Sequence, residues 1–356
     1  MRRDCIGSII PLSLLGKMAL VLILGGSILF SCSREKSEAG EEEQRVLIGF
    51  SAATETFLLE RWDRDIQIFL SSARALGAEV ILQKAEGDAM GQIPQIEYLI
   101  DEGVDVLVVI PHDMKLLAGI LRKAEDRGIP VLAYDRPIMG VPISGYVSFD
   151  NREVGRLLSR ALMREVPGGN YLIVNGSVRD NNSYEVNRGV YEVLQPSLDS
   201  GEITVMEEIW LDEWSSDEAF EKISRVMNEN RDIQAISAAN DQIADAAIRV
   251  LSERQLAGEV AVVGQDADLL SCQRVVEGSQ LMTVYKPISR LAERAATLAL
   301  AFARGERPEP DQTLDNGSET PIPYYVETPV PVFRETMDET VIKDGFHSKD
   351  EVYRSY

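Results

Sequence analysis

The feature that most restricts this fold is an alternation of short apolar runs with helical periodicity, which the chain performs twice. From position 45 the runs RVLIGFS, EVILQKA, VDVLVVIP, IPVLAYD and GYVSFD read as strands. Helical patterns cover residues 59–76, 92–101 and 115–127 between them, with Gly77 and Gly128 as C-caps. Pro94 fits the second of these helices only in its first turn. After position 150 the alternation restarts. Helices at 151–164, 184–194, 216–228, 241–253, 269–277 and 287–304 separate GNYLIVNGS, ITVMEEIW, IQAISAAND, EVAVVGQDAD and LMTVYKP. Apolar strands joined by helices imply a parallel sheet covered on both faces. Two such rounds point to two similar lobes rather than one very large sheet.

In an open parallel sheet, ligands bind outside the carboxyl ends of the strands. VLAYDRPI (131–138) stays apolar through Tyr134, delivers Asp135 and Arg136, and stops at Pro137. Other strands behave alike: Asp180, Asn181 and Asn182 follow one, Asn240 and Asp241 another, Asp266 and Asp268 a third, and Lys286 a fourth. Any single case reads equally as a helix N-cap or a structural ion pair. Five ends on two facing lobes would place acceptors and donors around one cleft, which suits a ligand dense in hydroxyl groups. Trp62, beside Arg61 at the start of the first helix, and Trp214, in the loop after ITVMEEIW, could cover the C–H faces of a pyranose ring. A core or lid role is the alternative for each. Trp210 lies inside its strand and reads as core, and Cys272 as a small buried residue.

The first residues read as an address. Arg2, Arg3 and Lys17 precede an apolar run over 18–30, which ends in Ser31-Cys32. This fits a secretory signal (1–31) with a lipoprotein cleavage site, making Cys32 the lipid-bearing first residue; an ordinary signal anchor is the alternative. The polar, acidic stretch 32–44 reads as a flexible tether. With Cys5 cleaved and Cys32 lipidated, Cys272 has no partner for an intrachain disulfide. The net charge of −22 disfavours nucleic acid and anionic headgroups, so any membrane contact is expected through the lipid alone. His112 and His347, the two histidines, read as surface residues and form no triad or metal cluster. No G-x-S-x-G, Walker loop or zinc spacing is present. Carboxylates beside cations stay ionised and make poor general acids, which argues against a glycosidase. A repressor would need a helix-turn-helix where this chain has its leader.

The stretches LERWDRD (59–65), GVDVLVVIP (103–111), VLAYDR (131–136), SFDN (148–151), DNN (180–182), AAND (238–241), GQDAD (264–268), MTVYKP (282–287) and VIKDGFH (341–347) carry a family likeness. Through them the chain resembles the periplasmic substrate-binding proteins of sugar ABC transporters, closest to the D-xylose-binding branch. The resemblance runs from about Val46 to His347. It implies an α/β fold of periplasmic binding protein type I: two Rossmann-like lobes joined by a three-segment hinge. The boundaries expected are 45–149 with 269–314, 150–268 with 315–333, and a tail at 334–356. It also implies one monosaccharide, D-xylose first, held by Arg61, Asp135, Arg136, Asn182, Asn240, Asp266 and Lys286, with Trp62 and Trp214 on its faces. Asp135–Arg136 and Asp266–Lys286 would balance each other's charge. A monomer without cofactor or catalysis is implied, in the periplasm or at the cell surface. Its partner would be a permease or, alternatively, a chemoreceptor or sensor kinase. One departure is the loop SAATETFLLE before Arg61, about two residues longer than usual and without an acidic pair, which leaves the exact sugar open.

Overall fold

The computed structural model describes residues 45–54, 59–86, 89–229 and 232–354, without the side chains at 53, 54, 59–61 and 86. The expected leader, Cys32 and tether lie outside the described residues, as do positions 55–58 of the long loop before Arg61.

The first round of alternation gives β1 (Leu47–Thr54), α1 (Leu59–Ala75), β2 (Glu79–Glu86), α2 (Ala89–Asp101), β3 (Val106–Ile110), α3 (Ala118–Asp126), β4 (Val131–Tyr134) and β5 (Gly145–Phe149). The second gives α4 (Asn151–Glu165), β6 (Gly169–Ser177), α5 (Asn181–Ser200), β7 (Ile203–Leu211), α6 (Ser216–Glu229), β8 (Ala235–Ala238), α7 (Asp241–Glu253), β9 (Ala261–Gln265), α8 (Leu269–Glu277) and β10 (Met282–Tyr285). Then come α9 (Ile288–Ala303), β11 (Gln312–Leu314), β12 (Ile322–Glu327), β13 (Val330–Val332) and a short α10 (Lys349–Tyr353). One sheet has the order β11-β12-β5-β4-β3-β1-β2 and the other β13-β10-β9-β8-β6-β7. These are the two α/β lobes that the doubled alternation implies.

Every residue of β3, β4 and β5 is buried, as the covered faces of a parallel sheet require. Phe50, Phe69 and Tyr134 pack edge to face beneath α1, with centroids 4.7–6.4 Å apart. In the second lobe α4 and α5 cross backbone against backbone. A Cβ at Gly155 would lie 1.9 Å from the Val186 carbonyl, and one at Gly189 equally close to that of Arg152. Only glycine fits either position.

The chain passes between sheets after β5, between β10 and α9, and between β12 and β13. The first passage lies where the expected boundary at 149/150 puts it. The other two move. β10 pairs with β9 and β13, so α8 and β10 stay in the second lobe, whereas α9 packs on α1 and the first sheet. β12 runs parallel to β5 and returns residues 315–327 to the first lobe. A strand's lobe is decided by its ladder partner, which is long-range information. Pro94 also differs from expectation: α2 begins at Ala89, which puts the proline in its second turn. The tail packs on the second lobe through Met337, Val341 and Val352, against Cys272, Val275 and Tyr285.

Candidate functional site

Between the lobes lies a small cavity of about 20 Å³. Trp62, Asp135, Arg136, Asn182, Trp214, Asn240, Asp266 and Lys286 all line it. Arg61 lies in the first turn of α1, and its side chain is outside the described set. The strand-end residues of both lobes thus share one space.

Asp135 follows β4 with φ at +61°, and the amide of Arg136 donates to the Tyr134 carbonyl at 2.7 Å, closing a tight three-residue turn. The Asp135 amide still donates to Val147 of β5 at 2.8 Å. Its carbonyl accepts from Ser148 Oγ at 2.6 Å and from Asn182 Nδ2 at 2.9 Å. The Tyr146 hydroxyl stands 2.9 Å from that carbonyl and 3.1 Å from Asn182 Oδ1. Burial, then the neighbouring Tyr324, hold this hydroxyl's pKa well above the usual tyrosine range, so it stays a donor. Asn182 belongs to the second lobe, and its amide is therefore fixed by the first.

The Arg136 guanidinium is buried. Its Nε lies 3.0 Å from Asp180 Oδ2 across the lobes, and its Cζ 5.4 Å from the centroid of the Trp62 ring. Asp180 also caps α5 through the Asn182 amide at 2.9 Å and accepts from Trp214 Nε1 at 3.1 Å. One carboxylate thus ties a helix start, an indole and a cation from the other lobe. The Trp214 ring lies against the Gly176 backbone, where a Cβ would stand 2.2 Å from the indole.

Asp266 follows β9 with φ at +100°, and its amide donates to Val284 of β10 at 2.8 Å. Its carboxylate lies 3.5 Å from Lys286 Nζ, both side chains being buried. That ion pair is the one expected. The structure also gives the Arg136 guanidinium a carboxylate from the other lobe, Asp180, a partner the sequence did not suggest. Asn240 caps α7 by accepting the Ile243 amide at 3.0 Å, which leaves its NH₂ as the end available to a ligand. Capping and lining therefore coincide in Asn240 and Asp180. Three carboxylates and two cations line the cavity among the described residues, with amides and indoles between them. Such a wall, with two indoles in its lining, can satisfy several hydroxyl groups.

Sequence reasoning missed one lining residue, Gln265, and left Asp180, which it had placed at a strand end, out of the ligand set. Both lay in view, within DNN and GQDAD. Four other readings are corrected. Asp241 turns beneath the sheet, where it accepts from Gln280, Thr283 and the Asp268 amide at 2.8–3.0 Å. Trp210 is half-buried on the edge strand β7, packed on Tyr184 with its Nε1 donating to Glu208 at 2.9 Å. His112 is buried, and His347 is half-buried with Nε2 2.8 Å from the Ala267 carbonyl. Cys272 is a buried free thiol, as expected, and burial pushes its pKa up.

The lobes touch at several further points. The Met114 amide donates to the Arg179 carbonyl at 3.2 Å. Arg64 of α1 donates to the Phe346 and Gly345 carbonyls of the tail at 2.6 and 3.2 Å. The arrangement is a closed one.

Residues 61–307 match the family described as "Periplasmic binding protein domain". The chain is 40% identical over 338 residues to the D-xylose-binding periplasmic protein of Haemophilus influenzae, covering 95% of this chain and 99% of that one. It is 43% identical over 301 residues to the D-xylose-binding periplasmic protein of Escherichia coli, covering 84% and 91%. A solute-binding protein of an ABC transporter from Clostridium phytofermentans, solved with bound β-D-glucose, superposes with a TM-score of 0.78 at 28% identity, covering 86% of this chain and 99% of that one.

Proposed function

Because the chain belongs to the periplasmic binding protein family, among the sugar-binding proteins of ABC transporters, we propose that its cavity captures a monosaccharide, D-xylose first, and delivers it to a membrane permease. The observation that carries this reading is the convergence of strand-end residues from both lobes on one small cavity. A hydrogen bond involving a charged group contributes about 1.5–3 kcal/mol, and a buried polar group left unpaired costs about 1–3 kcal/mol. A sugar that lacks one hydroxyl, or points it wrongly, forfeits both. Only a sugar enclosed by both lobes collects the whole set, so binding favours the closed form that a permease would recognise.

A thermal-shift panel of D-xylose, L-arabinose, D-ribose, D-glucose and D-galactose tests the ligand. Ligand at 100 times its Kd stabilises by about 2.7 kcal/mol, a visible rise in Tm. A rise with D-xylose supports the full reading. A rise with another sugar alone replaces xylose, and no rise with any of them refutes the monosaccharide. Cys32 is proposed as the lipid-bearing residue that holds the chain to the membrane. Fatty-acid labelling of cells should mark the wild type and not Cys32→Ser, and equal labelling of both would refute it.

A further inference from the structure

Gln265, the last residue of β9, is 3% exposed and lines the cavity. In a regular strand, consecutive side chains point to opposite faces. Here the next residue, Asp266, has φ at +100°, which breaks the alternation and lets both residues reach the same space. Gln265 Nε2 donates to the carbonyl of Ala239, at the end of β8. That bond fixes the amide: turned over, it would set oxygen against oxygen. Oε1 is then a buried acceptor with no hydrogen-bond donor from the protein. The matching residue of the first lobe, Tyr134 before Asp135, is satisfied internally, its hydroxyl donating to Asp65. Burying an amide oxygen without a donor is costly, and because Gln265 lines the cavity, a bound ligand can supply that donor.

We propose that Gln265 Oε1 accepts a hydrogen bond from one hydroxyl of the bound sugar and makes that hydroxyl a requirement for binding. This rests on the sugar-binding reading above and adds a specificity residue to it. The acceptor is neutral, unlike Asp135, Asp180 and Asp266, and its direction is set by backbone rather than by another charge. A glutamine whose only task is to tie β9 to β8 would weaken every sugar alike when replaced, without regard to any single hydroxyl.

The test measures Kd by calorimetry for D-xylose and for analogues lacking the 1-, 2-, 3- or 4-hydroxyl, on wild type and Gln265→Leu. The wild type should lose at least tenfold when the partnered hydroxyl is removed. In Gln265→Leu the loss at that one position should shrink to within twofold, while the other positions keep theirs. Gln265→Glu, which when protonated can donate to Ala239 and accept with its other oxygen, should retain the wild-type pattern below neutral pH. A uniform weakening of all ligands in Gln265→Leu, or loss of the position-specific effect in Gln265→Glu, overturns the proposal. If D-xylose does not bind the wild type, the sugar found by the panel and its deoxy analogues take its place. A wild type that binds no sugar fails the functional reading itself, a result distinct from the loss of one hydroxyl's effect.

Discussion

Asp180→Asn separates closure from folding. The wild-type carboxylate accepts Arg136 Nε at 3.0 Å, Trp214 Nε1 at 3.1 Å and the Asn182 amide at 2.9 Å. Asparagine is as good an N-cap as aspartate, so the start of α5 should survive. With its oxygen kept on the Asn182 amide, however, its NH₂ replaces the Oδ2 that takes both the guanidinium and the indole, donor against donors, and its charge is gone. Removing one partner of a buried ion pair costs about 3–5 kcal/mol, because the other charge stays buried. Arg136 and Asp180 come from different lobes, so this cost falls on the closed, ligand-bound form and hardly at all on the folding of either lobe. At 1.4 kcal/mol per decade, sugar affinity should fall by about two to three and a half powers of ten. Calorimetry gives the affinity, and a melt without ligand gives the fold, whose Tm should move by less than about 2 °C. Asp180→Ala should match the binding loss and add a cap penalty of about 1 kcal/mol, roughly 2–4 °C. A Kd for Asp180→Asn within threefold of wild type would refute the reasoning, and so would a ligand-free Tm that falls as far as that of Asp180→Ala.

Three further outcomes are expected. Gly176→Ala puts a Cβ 2.2 Å from the Trp214 indole, so the ring must leave the cavity wall; sugar binding should weaken at least tenfold with a changed tryptophan emission, and an unchanged spectrum and Kd would contradict the packing. Arg64→Ala removes the bonds to the Phe346 and Gly345 carbonyls, worth about 1 kcal/mol in this exposed setting; sugar release followed by stopped flow should quicken roughly fivefold, and an unchanged rate would show that the tail does not help hold the lobes together. Burial, then the charge of Asp268, raises the pKa of Asp241 above its unfolded value of about 3.9. The folded chain therefore binds more protons than the unfolded one, and Asp241's contribution is full below that value and lost as pH rises through the raised one. Urea midpoints of Asp241→Asn relative to wild type should climb as pH rises above about 4, and a constant offset would sink the assignment.

Much of the site was legible because a charged or amide side chain placed after an apolar run has nowhere to go but out of the sheet. Asp135, Arg136, Asn182, Asn240, Asp266 and Lys286 obey this, and all reach the cavity. The pattern does not show which way a side chain turns once the strand has ended. Asp241 follows Asn240 directly and reads the same, yet its carboxylate goes under the sheet to Gln280 and Thr283. Trp210 was misread because a strand's place in its sheet is invisible locally: β7 lies at an edge, where a large side chain can remain half-exposed. The second and third crossings were misplaced for a related reason. LMTVYKP and IPYYVE look alike as strands, and only their ladder partners, β9 and β5, assign them to different lobes.

The backbone at the two aspartates explains how opposed demands are met. A ligand-facing carboxylate must leave the strand, but a buried strand end cannot afford an unpaired amide. At Asp135 and Asp266 both conditions hold because φ turns positive while the amide still donates to the neighbouring strand, at 2.8 Å in each lobe. Positive φ on a residue other than glycine costs about 1–3 kcal/mol, and persists only where the surroundings over-determine it. Here they do. At Asp135 the carbonyl is gripped by Ser148 and Asn182, and at Asp266 the next amide, that of Ala267, is taken by the Thr283 hydroxyl at 3.2 Å. Neither lobe needs this conformation for its core, whose strands end one residue earlier. Of the five non-glycine residues with positive φ among those described, two are carboxylates that line the cavity, one in each lobe. Asn182 adds a link between the halves, since the amide that holds the first aspartate in place comes from the second lobe. The turn at Asp135 is therefore fully secured only in the closed form, which ties the placement of that carboxylate to closure itself.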